Sequence, residues 1–551
     1  MQKFITVFFF GFVVPEKPLY VWNSVLFVGV PSRNGCIRAS LLGHFIISFR
    51  QSVFYKKLHS LQVAFSIAPF FFVVNTFTKK IKKIFDKKSS ATHTIKKERQ
   101  MKKEKGKQSI IGGAVIIALG GFIAKVIGAL YRIPLTNLIG GKGIGLYQLI
   151  YPTYCLLLTV SATGIPSSIA KLTAEKISKG QSPKSVLKKA MKLFCLIGLA
   201  GSVLMAISAP FLSKLQGSQE VVFGYYALAP SVFFVSAISV FRGYFQGKNK
   251  MFPTALSEVV EQVVKVGAGL FFAYKFRNNL RLAVTFLLLS VSISEITALG
   301  LMFLLYRKNK NKEEGKQGGR VEAKQIIRLS LPVTISSLLL PLSALLDSVL
   351  VVRLLSAYAE NAVTLYGLFS GGAVTIINLP VSVCYGIAVS SVPAVVKAEK
   401  EGKKAVRKKW LFSLFITIAV ALPSALALYL FAPTAVKVVF RSLAGEEREI
   451  LIRLVKTLSI SALFLSCVQT LSACLTAQGK PKHSATSMFI AVTVKTIAYL
   501  FLLQNEKVSI VGVAYATNLC YLVAFLLDLL YNLYVSKSKE KANDNGNRVR
   551  S

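Results

Sequence analysis

Histidine, acidic residues and paired cysteines are scarce in this sequence of 551 residues. It has four histidines, and 23 Asp and Glu stand against 68 Lys and Arg, which gives a formal net charge of +45. Six of the seven cysteines lie inside apolar runs, and no Cys-x-x-Cys spacing suggests metal or redox chemistry. The segment Gly243–Lys248 is one residue short of a phosphate-binding loop, and Asn249 follows it in place of Ser or Thr. We therefore predict neither an enzyme nor a bound metal or cofactor.

Apolar runs, by contrast, are long and frequent. The mean hydropathy is +0.56 and 53% of the residues are hydrophobic. Runs such as Phe194–Leu212 and Leu411–Phe431 carry no charge and can each cross the roughly 30 Å hydrocarbon core as a helix. The alternating polarity of a membrane β-barrel is missing. We predict an all-α polytopic membrane protein with about twelve spans, at residues 110–131, 146–170, 192–212, 222–242, 253–274, 282–306, 327–352, 366–394, 410–432, 457–477, 485–503 and 509–534.

The positive charge is concentrated in every second loop of this arrangement. The segments Lys171–Lys192, Arg307–Lys324 and Lys397–Lys409 each hold seven basic residues and at most three acids. Lys275–Arg281 is the one basic loop on the other side. Basic loops stay in the cytoplasm, so both termini are predicted there, in a multi-pass protein of the bacterial cytoplasmic membrane. The same pattern explains the net charge without a nucleic-acid partner.

The spans form two related sets of six. Gln246–Lys250 after the fourth span matches Gln478–Lys482 after the tenth, and Leu146-Tyr147 at the start of the second matches Leu365-Tyr366 at the start of the eighth. Six spans per repeat give both halves the same orientation, as in transporters that enclose a central cavity. We predict an N-terminal half over 101–315, a C-terminal half over 316–535 and a polar cytoplasmic tail over 536–551.

Residues 1–100 differ from the rest of the sequence. They are irregular and rich in Phe, and they end in a basic tract in which Met101 begins a typical cytoplasmic start of a membrane protein. We predict that residues 1–100 are a non-native N-terminal extension. A signal peptide or an accessory helix pair is the alternative.

Several segments resemble a known family. Gly121–Pro134, Gly145–Gln148 and Gly164–Pro166 resemble stage V sporulation protein B and its relatives. The most specific match is Arg242–Thr254, continuing to Glu261-Gln262, with Arg242, Gly243, Gln246, Gly247 and Pro253 as its motif residues. The sequence is identified as a member of the polysaccharide-biosynthesis branch of the multidrug, oligosaccharidyl-lipid and polysaccharide exporter superfamily.

This resemblance implies a flippase that moves an undecaprenyl-pyrophosphate-linked oligosaccharide outward, such as lipid II or another peptidoglycan, spore-cortex or polysaccharide precursor. Its expected partners are that lipid-linked saccharide, the surrounding membrane lipids and cell-wall synthesis proteins. A multidrug or cation antiporter of the same superfamily is the alternative. An envelope glycosyltransferase or ligase is a third interpretation, but it needs a long loop with paired acids, which the sequence lacks.

Charges inside the spans are the candidate binding groups, because they are costly in a membrane. Lys125 and Arg132 share one face of the first span, and Arg353 has a near-equivalent position to Arg132 in the other half. Lys265 and Lys495 are near-equivalent in the fifth and eleventh spans. Several cations in one cavity suit a pyrophosphate. Snorkelling to the interface is the alternative.

Acids within the spans are fewer. Glu258 and Glu261 share the fifth span with Lys265, and Asp347 shares the seventh with Arg353. We predict ion coupling or structural pairing for Glu258, Glu261 and Asp347. An intrahelical salt bridge from Glu261 to Lys265 is one such pairing.

Overall fold

The computed structural model describes residues 98–310, 321–399, 401–506 and 508–548. The predicted extension lies outside these residues except for 98–100. The described chain is helical, with turns between α1 (Glu98–Leu158), π1 (Thr159–Thr163), α2 (Ile165–Ser178), α3 (Lys184–Leu215), a 3₁₀ turn (Gln219–Val221), α4 (Val222–Gly247), α5 (Phe252–Lys275), α6 (Leu280–Lys310), α7 (Ala323–Ser337), α8 (Leu339–Leu355), α9 (Ala362–Gly367), π2 (Leu368–Ala373), α10 (Val374–Glu399), α11 (Lys403–Leu430), α12 (Ala432–Val439), α13 (Gly445–Ala477), α14 (Pro481–Leu502) and α15 (Val511–Arg548).

All twelve predicted spans fall on these helices. Within the described residues, nine helices are long and apolar enough to cross a membrane, and the pair α7–α8, bent by 54°, makes a tenth. The first and second predicted spans share α1, which breaks at Gly140 with φ 68°. The remaining predicted span, α5, is not among these nine helices, because Glu258, Glu261 and Lys265 make it less apolar than the others. The structure thus confirms an all-helical, multi-span fold.

The helix packing repeats from one half to the other. In the first half α4 packs on α2, α3 and α6, and α5 packs on α1 and α6. In the second half α13 packs on α10, α11 and α15 in the same relative positions, and α14 packs on α8 and α15. This repetition agrees with two related halves. The second and eighth spans are both interrupted by a π-helical stretch, π1 and π2, although the two stretches are not at matching residues.

The helix ends follow ordinary sequence rules. Pro253 and Pro481 lie in the first turns of α5 and α14, where a proline costs no intrahelical hydrogen bond. The helix α15 continues to Arg548, so it runs into the segment that the sequence predicts to be a polar tail. Few helix-breaking residues precede Gly546 there, so the helix of the last span propagates past the apolar run.

Close backbone contacts join the two halves at the end opposite the basic loops. A Cβ on Gly145 would strike the carbonyl of Val363, and one on Gly367 would strike the backbone of Gly141 and Gly145. The amide of Gln148 donates to the carbonyl and hydroxyl of Ser370, at 3.0 and 3.1 Å. Glycine at 145 and 367 therefore permits an approach of α1 to α9 that no side chain would tolerate.

A second set of hydrogen bonds closes the same end. Asn137 donates to the carbonyl of Val439 at 2.9 Å and accepts from the backbone amide and hydroxyl of Ser442, both at 3.2 Å. Gln216 donates to the hydroxyl of Ser348 at 3.1 Å. We call this region, formed by residues 137–148 with 363–370 and 439–442, the interhalf seal.

Candidate functional site

Arg132 lies on α1 where both halves meet. Its side chain is half-buried, and Tyr147 of the first half and Tyr366 of the second lie within its electrostatic range. Both tyrosines are buried, and they are the Leu-Tyr residues that the repeat relates. Arg132 therefore occupies a position that residues from both halves surround.

Lys265 is the second cation of this region. It is half-buried on α5, and Arg132, Glu261 and Glu295 lie within its electrostatic range. Two cations near each other in a shielded place repel, which costs free energy until an anion joins them. Arg132 and Lys265 are thus arranged to receive negative charge.

The neighbouring acids are held by other partners. Arg242 on α4 forms an ion pair with Glu261 at 2.9 Å, in which the two side chains are 13% and 15% exposed. Arg242 also donates from Nε to the Ser257 hydroxyl at 2.9 Å. Gln262 donates to the other oxygen of Glu261 at 3.3 Å. Glu261 therefore pairs between helices, with Arg242, and not along α5 with Lys265.

A ladder of tyrosines connects Arg132 to a buried acid. Tyr147 stacks on Tyr151 with ring centroids 5.1 Å apart, and Tyr154 follows at 5.6 Å. The hydroxyl of Tyr154 donates to Glu295 on α6 at 3.0 Å, and Glu295 is only 2% exposed. We call Arg132, Arg242, Glu261, Lys265 and Glu295 the first-half charge cluster.

Neither Arg132 nor Lys265 has an ion-pair partner among the residues that the structure describes. The two carboxylates within electrostatic range of Lys265 are instead engaged by other groups, Glu261 by Arg242 and Glu295 by Tyr154. Half-buried cations without a bound acid are unusual, because desolvation is normally compensated by pairing. An anionic ligand would supply that compensation.

The second half contains a different arrangement. Lys495 on α14 donates to Asp347 on α8 at 2.8 Å and to the Ser343 hydroxyl at 2.7 Å, and its ammonium lies 5.6 Å from the Tyr499 ring centroid. The Lys495 and Asp347 side chains are 7% and 16% exposed. Lys495, which the sequence predicts to bind substrate, thus forms a buried pair with Asp347, for which the sequence predicts ion coupling or structural pairing.

The other predicted residues are placed as follows. Arg353 is exposed in the last turn of α8 and lies outside the buried clusters. The side chain of Lys125 lies outside the described residues. Glu258 lies beside Gly121, whose added Cβ would be 3.7 Å from its carboxylate. The roles predicted for these residues stay predictions.

The motif residues after the fourth span fix how α4 meets α2 and α5. A Cβ on Gly243 would lie 2.8 Å from the carbonyl of Pro166, and one on Gly247 would lie 2.6 Å from that of Ala170. The turn after α4 is closed by the Asn249 amide, which donates to the Gln246 carbonyl at 2.9 Å. This turn and Pro253 begin α5 so that Glu261 reaches Arg242.

Sequence reasoning missed the tyrosines of this site. Tyr147 and Tyr366 served only as markers of the repeat, although a paired aromatic at the start of two related spans was the available signal. It also missed that Lys495 and Asp347 pair, although Lys495 is the one charge of the eleventh predicted span and Asp347 the one acid of the seventh.

Comparison with known proteins agrees with this fold. Residues 110–399 match the family described as polysaccharide biosynthesis protein. Stage V sporulation protein B of Bacillus subtilis is 28% identical over 314 residues, covering 54% of this chain and 60% of the relative. The chain thus spans less than two thirds of that relative's length. The lipid II flippase MurJ of Bacillus subtilis is 22% identical over 448 residues, covering 76% of this chain and 81% of the flippase.

A solved structure shares the helical arrangement. An inward-facing multidrug resistance transporter of the MATE family and MOP superfamily superposes with a TM-score of 0.65 at 16% identity, over 78% of this chain and 99% of that one. The chain belongs to the polysaccharide biosynthesis protein family, and its fold is that of the MOP superfamily.

Proposed function

We propose that this protein is a flippase that moves an undecaprenyl-pyrophosphate-linked oligosaccharide outward across the bacterial cytoplasmic membrane by alternating access. Arg132 and Lys265 carry the proposal, because these two cations lie within electrostatic range of each other and lack an acid partner among the described residues, and Arg132 lies where the halves meet. A pyrophosphate offers several charged oxygens and would bridge both. Peptidoglycan or spore-cortex precursors such as lipid II fit that chemistry, with cell-wall synthesis proteins as partners.

The family relationship supports the same proposal. Relatives of this chain include a protein named lipid II flippase and one named for sporulation. The tyrosine ladder adds an amphipathic wall beside the cations, which suits a ligand that is polar at one end and apolar at the other. The basic loops support an orientation with both termini in the cytoplasm.

An antiporter of organic cations is disfavoured by the same geometry. Such a transporter needs accessible acids, whereas Glu261 is bound by Arg242 and Asp347 by Lys495. Glu295 is buried and accepts the Tyr154 hydroxyl. These three acids are therefore engaged, whereas Arg132 and Lys265 have no acid partner among the described residues.

Reconstitution in lipid vesicles tests the proposal. The purified full chain is incorporated with a fluorescent undecaprenyl-pyrophosphate saccharide, and the fraction reached by an external quencher is followed over time. We expect scrambling or net flipping that the Arg132→Ala, Lys265→Ala double variant loses at equal incorporation. The same lipid with a neutral head group is the control. Equal movement of both lipids, or full activity of the double variant, would contradict the proposal.

A further inference from the structure

Asp528 is a buried acid in the second half that the proposed substrate site does not use. It lies on α15 and is 1% exposed. Its counterpart on α6 is Glu295, about one repeat period earlier in the sequence, and Arg242 and Lys265 both lie within electrostatic range of Glu295. The side chains next to the Asp528 carboxyl in the described chain are the hydroxyls of Ser472 and Ser487, and no charged side chain is among them. Asp528 therefore lacks the cations that accompany its counterpart.

The Oδ2 oxygen of Asp528 accepts the last hydrogen bond in a chain of two serine hydroxyls. Ser472 on α13 donates to Oδ2 of Asp528 at 2.6 Å. Ser484 on α14 in turn donates to the Ser472 hydroxyl oxygen at 2.7 Å. Each hydroxyl thus points its hydrogen toward the acid, which is the order that a proton transfer inward requires.

The other oxygen is left without a donor. Oδ1 of Asp528 is buried and has no hydrogen-bond partner in the described residues. Ser487 lies beside the carboxyl, but its hydroxyl donates to the backbone carbonyl of His483 at 3.0 Å. A buried carboxylate oxygen with no donor carries an uncompensated solvation cost, which binding of a proton removes.

The chain begins at the basic-loop end of the bundle. Ser484 lies in the first turn of α14, which also contains the exposed Lys482 and directly follows the exposed Lys480. His483 precedes it, with its ring 4.8 Å from that of Tyr531. A titratable imidazole thus stands where protons from the aqueous phase would enter.

Three helices, α11, α13 and α14, pack against α15. α13 contributes Ser472 and Gln478, whose amide donates to Asn532, and α14 contributes His483, Ser484 and Ser487. α11 contributes the apolar core residues Val406, Trp410 and Leu414. The titratable side chains of this surrounding include His483, Tyr531 and the Cys474 thiol of α13.

We propose that Asp528 is a proton-binding site, loaded from the basic-loop side through Ser484 and Ser472. The Ser472 proton passes to Oδ2 of Asp528, the Ser484 proton passes to Ser472, and Ser484 is reprotonated from water or His483. Charge balances because one proton enters and the carboxylate becomes neutral. If the proposed transport function is correct, this site makes protons its driving ion. Proton binding at Asp528 itself does not depend on which substrate the protein moves.

Isotope-edited infrared spectroscopy of the full chain tests this site. The sequence has four aspartates, Asp86, Asp347, Asp528 and Asp544, so labelling their carboxyl carbons with ¹³C leaves few contributors. The difference spectrum between acid and alkaline pH is expected to show the C=O stretch of a protonated, water-excluded acid that moves with the label. It should disappear in Asp528→Asn and persist in Asp347→Asn.

Two further outcomes decide the proposal even if Asp528→Asn does not fold. Ser472→Ala should shift the band frequency, because Oδ2 loses its donor, and Ser484→Ala should slow protonation after a pH jump about tenfold or more while leaving the midpoint unchanged. The proposed site would be overturned if the wild type shows no such band or a band that does not move with the ¹³C label. Loss of the band in Asp347→Asn would overturn it as well. An unchanged rate in Ser484→Ala would overturn the relay. The spectra need no lipid substrate, so failure of the proposed function leaves them unaffected.

Discussion

The two halves use one helix arrangement to hold very different charges. In the first half, the fifth span carries Glu258, Glu261 and Lys265, and the cluster around it leaves Arg132 and Lys265 without bound acids in the described chain. In the second half, the eleventh span carries Lys495 alone, and Asp347 neutralises it. Within the described residues, related helix arrangements thus hold two half-buried cations without bound acids in the first half, and a closed ion pair and a buried acid in the second.

This difference explains how movement and binding can be separated. The interhalf seal closes one end of the interface through backbone contacts and short polar side chains. Such contacts can open without breaking a buried charge pair, so their cost is modest. The charge pairs Arg242–Glu261 and Lys495–Asp347 lie within single halves, so the proposed movement of the halves would leave both pairs intact.

Locking the interhalf seal should have the largest effect. Asn137→Cys combined with Ser442→Cys should form a disulfide under a membrane-permeant oxidant, because these short side chains are in contact. Transport in vesicles should then stop and return on reduction.

The matched control lies within the second half. Ser461 donates to Asn518, so Ser461→Cys with Asn518→Cys joins the same residue types between α13 and α15. Cross-linking there should leave transport intact. Full activity of the locked seal variant would show that this end of the interface does not have to open.

Removing the available cations should have the next largest effect. Arg132→Ala and Lys265→Ala should each lower lipid-pyrophosphate affinity about tenfold or more, since a hydrogen bond to a charged group contributes about 1.5–3 kcal/mol. Compared with Arg132→Ala, Arg132→Lys should recover only part of the lost affinity. It restores the positive charge, but an ammonium group cannot form the bidentate fork of a guanidinium. Arg353→Ala is the comparison, and a mild effect there would separate the exposed arginine from the buried cluster.

Breaking the second-half pair should affect stability more than binding. Lys495→Ala leaves Asp347 buried without its partner, which should cost about 3–5 kcal/mol of unfolding free energy. Thermal unfolding in detergent measures the loss, and Lys495→Ala with Asp347→Ala should restore much of it. Unchanged stability of the single variant would show that water already shields this pair.

The smallest effect is expected at the surface pair between Lys142 and Glu220. Its atoms are 3.0 Å apart, but the side chains are 53% and 42% exposed. Lys142→Ala should therefore change the unfolding free energy by about 0–1 kcal/mol. A loss as large as that of Lys495→Ala would mean that burial does not decide the strength of ion pairs in this molecule.

The sequence was sufficient for the fold, because apolar length and basic loops determine membrane helices one at a time. The repeated segments at Gln246 and Gln478 predict two related halves, and the similar helix packing in 101–315 and 316–535 is consistent with that prediction. The pairing of charges could not be obtained this way. Glu261 had a partner four residues away in Lys265, yet it pairs with Arg242, nineteen residues away on another helix. Such choices depend on helix rotation, which hydropathy does not specify.

Binding of a pyrophosphate lipid to the purified full chain tests the central claim most directly. The affinity of a fluorescent undecaprenyl-pyrophosphate saccharide is measured for the wild type and for the double variant Arg132→Ala with Lys265→Ala. The affinity of the monophosphate form of the same lipid is measured for both proteins. We expect the wild type to prefer the pyrophosphate, and the double variant to bind it about a hundredfold or more weakly and to lose the preference. Equal affinity of the two proteins for the pyrophosphate lipid would contradict an anion site between the halves.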